Sequence, residues 1–506
     1  MIFFTQNTLK TQNCENNELL RLGWLVLFLE KKIVDYCKFR EKKFVDYCKI
    51  SYFCSAFQQV RCFMIFKRKL YDKMLGWKQQ WKGQYALLIK GARRVGKSTL
   101  VEEFAKREYK SYILIDFSKP SKQINELFED MMDLDYFFMR LQTLMKVNLY
   151  KRESAIVFDE VQNQPLARQA IKHLVKDGRY DYIETGSLIS IRKNVQNIVI
   201  PSEEMSMTLY PMDLEEFYWA TGNEVSPDQI RQVFAMHRPM GQAVHLRWMR
   251  DLRLYMLVGG MPQAVDAYLH YNNLQKVDDM KREILKLYEV DFNKIDPSGR
   301  ASKMFKDIPA QLSGNASRYM IETAIDERRS ENTEIIVSEM RESMVINLAH
   351  HVTDPNVGMG LTKSLFSYKM FLADTGLFVT LAFWDKRFTE NIIYEKLLSD
   401  KLKANLGYVY ENLIAQMLRT AGNELYYYTF PTGNGNKNYE VDFLLSRGNK
   451  IVPIEVKSSG YKTHKSLDEF CKKYPSRIGE RILLYTKDYQ KDGVVTCLPV
   501  YYTALL

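Results

Sequence analysis

The chain has 506 residues, 46% hydrophobic and 26% charged, the make-up of a globular protein too long for one core and of a size for roughly three domains. Its formal charge of +11 is spread along the sequence, which suits nucleic acid and suits solvated Lys and Arg faces equally well. The longest apolar run near the start, residues 24–29, is far too short for a membrane span, and neither a basic region nor a small-residue cleavage site flanks it. A cytoplasmic protein with no membrane partner is the expectation.

Residues 1–63 stand apart. They hold Cys14, Cys37, Cys48, Cys54 and Cys62, without metal-site spacing, and leave Cys471 and Cys497 for the rest of a chain that otherwise has the cysteine usage of a reduced compartment. Within them Glu30-Lys-Lys-Ile-Val-Asp-Tyr-Cys-Lys38 recurs as Glu41-Lys-Lys-Phe-Val-Asp-Tyr-Cys-Lys49, a duplication with too few copies for a solenoid. Met64 then opens an amphipathic helical pattern with Leu70, Met74 and Trp77 on its apolar side. The expectation is a start at Met64, with residues 1–63 an over-extended leader or a short helical extension.

The apolar run Tyr85-Ala-Leu-Leu-Ile-Lys90 reads as a buried parallel strand. Gly91-Ala-Arg-Arg-Val-Gly-Lys-Ser-Thr99 follows it and leads into a helical pattern, so the order strand, Gly-x-x-x-x-Gly-Lys-Ser, helix is complete. This P-loop predicts an ATP site over Gly91, Ala92, Arg93, Arg94, Val95, Gly96, Lys97, Ser98 and Thr99. The glycines let backbone N–H groups face phosphate, Lys97 reaches the β- and γ-phosphates, and Ser98 ligates Mg²⁺.

A second apolar strand, Ala155-Ile-Val-Phe158, ends in Asp159-Glu160, which places two carboxylates at the ligand edge of an open α/β sheet. Asp159 is expected to hold Mg²⁺ and Glu160 to orient and deprotonate the attacking water. A third, Tyr180-Asp-Tyr-Ile-Glu-Thr-Gly-Ser187, offers Thr185 and Ser187 either as γ-phosphate sensors or as turn and cap residues. Strand-like runs at 111–116 and 205–210 bring the sheet to five strands.

These stretches, with Tyr210-Pro-Met-Asp-Leu-Glu-Glu-Phe217 and Gly259-Gly-Met-Pro-Gln-Ala-Val265, resemble bacterial and archaeal AAA-type P-loop ATPases that carry a C-terminal domain of unknown function. The resemblance runs from about residue 64 to the end. It implies an AAA-like sheet with an extra strand between the P-loop strand and the Asp-Glu strand, and it leaves substrates unspecified. Arg168, Arg179 and Arg192 are the arginine-finger candidates, and the sequence does not choose among them.

Residues 221–300 read as helices broken at Gly259-Gly260 and Pro262, and the family resemblance implies that they form a helical lid. The same resemblance implies a winged-helix-like segment over residues 301–385, with Lys363 to Asp374 a strand running into a short helix, and Glu334-Ile-Ile-Val337 reads as strand-like. Asp374-Thr-Gly-Leu reads as a structural turn.

The region 386–506 holds a second carboxylate pattern. Tyr439-Glu-Val-Asp-Phe-Leu-Leu445 and Lys450-Ile-Val-Pro-Ile-Glu-Val-Lys457 flank a hairpin turn at Gly448-Asn449. That register sets Asp442 opposite Glu455 and Glu440 opposite Lys457 on one face, with Val441, Phe443, Ile454 and Val456 on the other. Facing carboxylates repel unless a cation lies between them, so a second Mg²⁺ site is one expectation and a solvated polar face the other. With Glu411 on an upstream amphipathic helix, the pattern resembles the Asp…Glu-x-Lys core of restriction-endonuclease-like nucleases. The set Glu411, Asp442, Glu455 and Lys457 is the expected nuclease-like site, either active or an inert scaffold. Lys457, Lys462, His464, Lys465, Lys472 and Lys473 form a basic run suited to a phosphate backbone or to a solvated surface.

The fold expected is therefore α/β: an AAA-like ATPase domain over 64–220, a helical and winged-helix-like middle, and a nuclease-like C-terminal domain. ATP and Mg²⁺ are the expected cofactors. DNA and a second copy of the chain are the partners left open. An ATP-driven enzyme acting on DNA is the first functional expectation, and an ATP-controlled switch with an inert, protein-binding C-terminal domain is the other.

Overall fold

The computed structural model describes residues 64–506 apart from 130, 132, 188–200, 399–405, 434–436 and 459–462. The leader, Arg192 and Lys462 lie outside the described residues, and Met64–Leu506 forms one compact unit.

Helix α1 (Lys69–Trp81) buries Leu70, Met74 and Trp77, the apolar side read from the sequence. The ATPase sheet follows. Its strands are β1 (Ala86–Lys90), β2 (Ser111–Asp116), β3 (Ser154–Asp159), β4 (Asp181–Gly186) and β5 (Glu204–Thr208). They pair in parallel in the order β2-β3-β4-β1-β5. Strand β4 thus separates the P-loop strand from the Asp-Glu strand, as the AAA resemblance implied. Helix α2 (Lys97–Glu108) leaves the P-loop and packs Val101, Phe104 and Ala105 on one sheet face. Helix α3 (Pro165–Asp177) covers the other with Ala167, Ile171 and Leu174.

Beyond the sheet the chain is helical through α4 (Gln242–Val258), α5 (Pro262–Tyr271) and α6 (Leu274–Ile295). Gly259 and Gly260 break it where expected, for a steric reason. A Cβ on Gly260 would lie 2.0 Å from the Met212 carbonyl oxygen, and Met212 N–H donates to the Gly260 carbonyl at 2.7 Å.

Helices Arg300–Ser313 and Ile321–Ile325 lead to α7 (Glu331–Glu342). The strand-like expectation for residues 334–337 fails here. Ser330 and Thr333 form a capping box, and Thr333, Ile336, Val337 and Met340 turn one helical face inward, so burial and the cap override the β-branched run.

Strands β6 (Ile346–Val352) and β7 (Lys363–Leu372) form an antiparallel pair, and α8 (Thr375–Leu381) follows β7. Helix α9 (Gly407–Thr420) then precedes β8 (Leu425–Pro431), β9 (Asn438–Arg447), β10 (Lys450–Val456), α10 (Lys465–Lys473), β11 (Arg481–Tyr485), β12 (Gln490–Asp492) and β13 (Val495–Pro499). The eight strands make one mixed sheet, ordered β12-β13-β11-β10-β9-β8-β6-β7. It runs across the boundary expected at residue 385, because β6 pairs in parallel with β8.

Asp374 joins the helical region to this sheet. Fully buried, it accepts Gly260 N–H at 2.6 Å and Leu377 N–H at 2.8 Å, capping α8 and gripping the Gly-Gly break together. Asp374→Ala strips both donors of their acceptor and should lower stability by about 3 kcal/mol. A urea unfolding curve that superimposes on wild type would show that the junction does not depend on this carboxylate.

Candidate functional site

The phosphate loop owes its course to close backbone approach. A Cβ on Gly91 would lie 2.3 Å from the Leu209 carbonyl oxygen, and Gly96 has φ +93°, a left-handed conformation that glycine adopts without strain. Ala92 and Val95 are buried beneath the loop, whereas Arg93, Arg94 and Thr99 face outward. No side chain caps the N-terminus of α2, so its first N–H groups remain available to phosphate.

Lys97 lies beneath the loop with its Nζ 3.1 Å from the Gly91 and Ala92 carbonyl oxygens. Burial lowers its pKa, while Glu160 and Asp159 act in the opposite sense. Ser98 Oγ donates to Asp159 Oδ1 at 2.8 Å, and Thr185 Oγ1 donates to the same oxygen. Glu160 N–H in turn donates to Thr185 Oγ1 at 3.2 Å. Three strand ends, β1, β3 and β4, thereby bring Ser98, Asp159, Glu160 and Thr185 into one cluster. Hard oxygen ligands from Ser98 and Asp159, hydrogen-bonded to each other, form a donor set that fits Mg²⁺. Ser187 sits half-buried just past β4.

Glu160 itself has φ +54°, and Gln162 Nε2 donates to its Oε2. Gln162 is buried, an amide committed to one carboxylate. Sequence reasoning passed over it as part of the strand end. Arg68 was also missed. Its NH1 donates to the Val95 carbonyl at 2.9 Å, its NH2 to the Tyr210 carbonyl at 2.6 Å, and its Nε pairs with Glu216 at 3.1 Å. It therefore braces the loop from α1's N-cap position, and no local motif links residues 68, 95, 210 and 216.

Two arginine-finger candidates are committed elsewhere. Arg168 is buried in ion pairs with Glu184 and Glu204, and Arg179, at the opposite end of β4 from Thr185, pairs with Asp177 and Asp135.

The second cluster differs from its expectation. The hairpin register holds, with Lys450 opposite Arg447 and Ile454 opposite Phe443. The strict alternation does not. Against β8, Leu444 pairs with Tyr426 but Val441 with Tyr428, so β9 carries one extra residue around Asp442 and Phe443. Val441 and Phe443 consequently pack into different cores.

Glu411, Glu440 and Asp442 converge, with one carboxylate oxygen of each within 4.8 Å of the others. Lys369 of β7 enters this trio, its Nζ 2.8 Å from Glu411 and 2.5 Å from Glu440. Asp442 accepts the Val456 N–H at 2.7 Å. Burial raises the Asp442 pKa well above the carboxylate range, and Glu411 and Glu440 add to the rise. For Lys369, burial opposes the charge, but Glu411, Glu440 and Asp442 outweigh it and raise its pKa. Glu455 and Lys457 pair with each other at 2.6 Å and lie outside the trio. Glu455 and Lys457 nevertheless act on Asp442 through their charges, so the expected pair borders the trio and Lys369 adds a lysine from another strand.

Most of the described residues of the basic run have an acidic or aromatic neighbour. His464 lies between Asp468 and Asp492, Lys472 pairs with Glu469, and Lys465 and Lys473 lie over Tyr439 and Tyr428.

A P-loop on a β2-β3-β4-β1-β5 sheet, with Ser and Asp-Glu at the strand ends, defines a nucleotide-binding ATPase fold. Residues 83–218 match the family described as AAA domain, so this part of the chain is an AAA-type P-loop ATPase domain. Residues 249–387 and 406–502 match two families described as domains of unknown function, DUF8612 and DUF4143. No curated protein matches the chain.

Among solved structures, the chain is similar to the Aeropyrum pernix Orc1 protein in complex with DNA at 12% identity, covering 65% of this chain and 95% of that one, with a TM-score of 0.27. For AMPPCP-bound DnaA from Aquifex aeolicus the values are 14%, 54%, 86% and 0.25. For Pif1 helicase from Candida albicans they are 14%, 35%, 49% and 0.20, so the chain spans about half of that protein. These likenesses concern fold only. Among the described residues, no helix is long and apolar enough to cross a membrane.

Thr185→Val keeps the shape but removes the donor to Asp159 and the acceptor for Glu160 N–H. The loss should be about 1–3 kcal/mol of stability, read from urea unfolding, with weaker Mg²⁺-nucleotide binding in calorimetry. Unchanged values in both would mean that Thr185 is not part of the cluster's support.

Proposed function

We propose that the chain is a Mg²⁺-dependent ATPase acting as an ATP-controlled switch on its own C-terminal module. The observation that carries the ATPase reading is the shared hydrogen bonding of Ser98 and Thr185 to one oxygen of Asp159, beside Glu160 and beneath the loop of Lys97. In this reading Lys97 and the loop N–H groups bind the β- and γ-phosphates, and Ser98 and Asp159 hold the metal. Mg²⁺ bound there neutralises charge on the phosphate oxygens. Glu160 takes the proton of the attacking water, Thr185 senses the γ-phosphate, and Gln162 holds the Glu160 carboxylate in position.

The switch reading rests on what surrounds the C-terminal cluster. Lys369 already supplies a cation to Glu411 and Glu440, and the basic run has acidic or aromatic neighbours. Both features suit a module that binds a protein better than one that grips a phosphate backbone. A continuous set of buried contacts also ties the ATPase domain to it. Tyr255 OH donates to the Met212 carbonyl, Gln416 donates to Tyr255 OH, and Gln416 accepts from Thr375. Gln416 lies on α9, the helix that carries Glu411.

The second reading, Mg²⁺-dependent cleavage of DNA, is favoured by one observation: the convergence of Glu411, Glu440 and Asp442. A divalent ion there must displace or share its oxygens with Lys369.

Three variants test the ATPase. Lys97→Ala should abolish tight ATP binding. Glu160→Gln should keep binding and lose at least ~100-fold in turnover, and Gln162→Leu should lose about tenfold in kcat at unchanged ATP affinity. Wild-type turnover in Glu160→Gln would overturn the assignment of the base.

Supercoiled plasmid with Mg²⁺ or Mn²⁺, with and without ATP, separates the two C-terminal readings. No cleavage and no salt-dependent DNA binding is the result expected of the switch. Cleavage that Asp442→Ala removes would establish the nuclease instead.

A further inference from the structure

Arg93 leaves the phosphate loop and reaches the last turns of α6, where its NH1 lies 3.0 and 3.1 Å from the two carboxylate oxygens of Asp291. The same stretch of helix touches the loop again, since Tyr288 OH donates to the Arg93 carbonyl oxygen at 2.9 Å. One end of α6 therefore holds both the backbone and the side chain of a phosphate-loop residue. The two contacts differ in kind. Tyr288 is buried, whereas the side chains of Arg93 and Asp291 are 43% and 32% exposed. Lys294 also lies 3.5 Å from Asp291, so the carboxylate keeps a cation near it if Arg93 departs.

The other end of α6 is fixed in the junction with the C-terminal sheet. Lys281, fully buried, donates to the carbonyl oxygens of Leu257 and Gly376 at 2.6 and 3.0 Å and to Tyr394. Asp278 accepts from Thr380 and pairs with Arg282. A helix of 22 residues, about 33 Å long, thus spans from the phosphate loop to the base of α8. Its first end is anchored by buried polar contacts; its last turns bury Tyr288, Phe292 and Ile295 on one side and present the exposed Asp291 ion pair on the other.

An exposed pair of this kind is weak and easily exchanged. Arg93 also lies close enough to Lys97 to act on its charge. A triphosphate brought against Lys97 offers Arg93 a stronger anionic partner than one carboxylate.

We propose that Arg93 is a nucleotide-responsive latch: without nucleotide it is held by Asp291, and with ATP bound it turns to the phosphates and frees Asp291, loosening the exposed side of the last turns of α6. The inference rests on the loop binding ATP and adds the route by which binding is reported to the C-terminal module. Arg93 is then a phosphate-contacting residue and Asp291 a positioning residue that acts through it.

The test uses the full chain and a fluorescent ATP analogue, with wild type, Arg93→Ala, Arg93→Lys, Asp291→Asn and the Arg93→Ala/Asp291→Asn pair. Asp291→Asn should tighten binding roughly two- to fivefold, the range an exposed ion pair allows. Arg93→Ala should weaken binding at least as much, and Arg93→Lys should recover part of the loss. In the Arg93→Ala background Asp291→Asn should have no effect, because relief of simple repulsion between Asp291 and phosphate would persist there and a latch would not.

Hydrogen exchange gives a second readout. Amides in the last turns of α6 should exchange faster with ATP in wild type and show no ATP response in Arg93→Ala. Equal tightening by Asp291→Asn in both backgrounds, or an α6 end indifferent to ATP, would overturn the latch while leaving ATP binding intact. Failure of wild type to bind the analogue at all would overturn the ATP reading and the latch with it.

Discussion

The arrangement of this molecule depends on residues 209–212, a short stretch gripped from two sides by backbone. On one side Leu209 N–H donates to the Lys90 carbonyl, and Gly91 leaves no room for a side chain against the Leu209 oxygen. On the other, Met212 and Gly260 exchange a hydrogen bond at a separation that only glycine permits. Arg68 closes a third contact on the Tyr210 carbonyl. Close packing of this kind transmits displacement rather than absorbing it, because no gap exists for either backbone to relax into. The phosphate loop and the Gly-Gly break are therefore mechanically joined, even though 163 positions separate Gly96 from Gly259 in the numbering.

Much of the ATPase domain was legible because its chemistry is local. Gly91, Gly96, Lys97 and Ser98 lie in one turn, and each has a fixed steric or electrostatic duty. The five strands followed from runs of strand length, and the extra strand between the P-loop strand and the Asp-Glu strand from the resemblance. Thr185 was open between sensor and cap, and its bonds to Asp159 and Glu160 place it in the cluster. Gln162 and Arg68 were not legible. A buried amide and a buried guanidinium carry no motif, and their partners are defined only once the chain has folded.

The C-terminal cluster shows where pattern reading stops. Turn chemistry at Gly448 fixed the hairpin register correctly, since register in a tight hairpin is a local property. The bulge opposite Tyr426–Tyr428 is imposed by β8, a strand the hairpin pattern does not include. That bulge decides which side chains face the core and which face α9. Lys369, more than seventy positions before Glu440, enters from β7 by the same logic: only the sheet as a whole brings it there. The error at residues 334–337 is different in origin, because a β-branched run was weighed without the capping box that precedes it.

Charge compensation distinguishes the two clusters physically. In the ATPase cluster Asp159 is surrounded by hydroxyl groups that can rotate, and Lys97 is bonded only to carbonyl oxygens that phosphate can replace. In the C-terminal cluster a buried Lys369 is bonded directly to two half-buried carboxylates, and losing it leaves like charges facing each other. These bonds tie β7, β9 and α9 together. The two carboxylate centres thus differ in what their lysines are bonded to, carbonyl oxygens for Lys97 and carboxylates for Lys369. The contacts from Met212 through Tyr255 and Gln416 end on Thr375 and on α9, the helix that also carries Glu411.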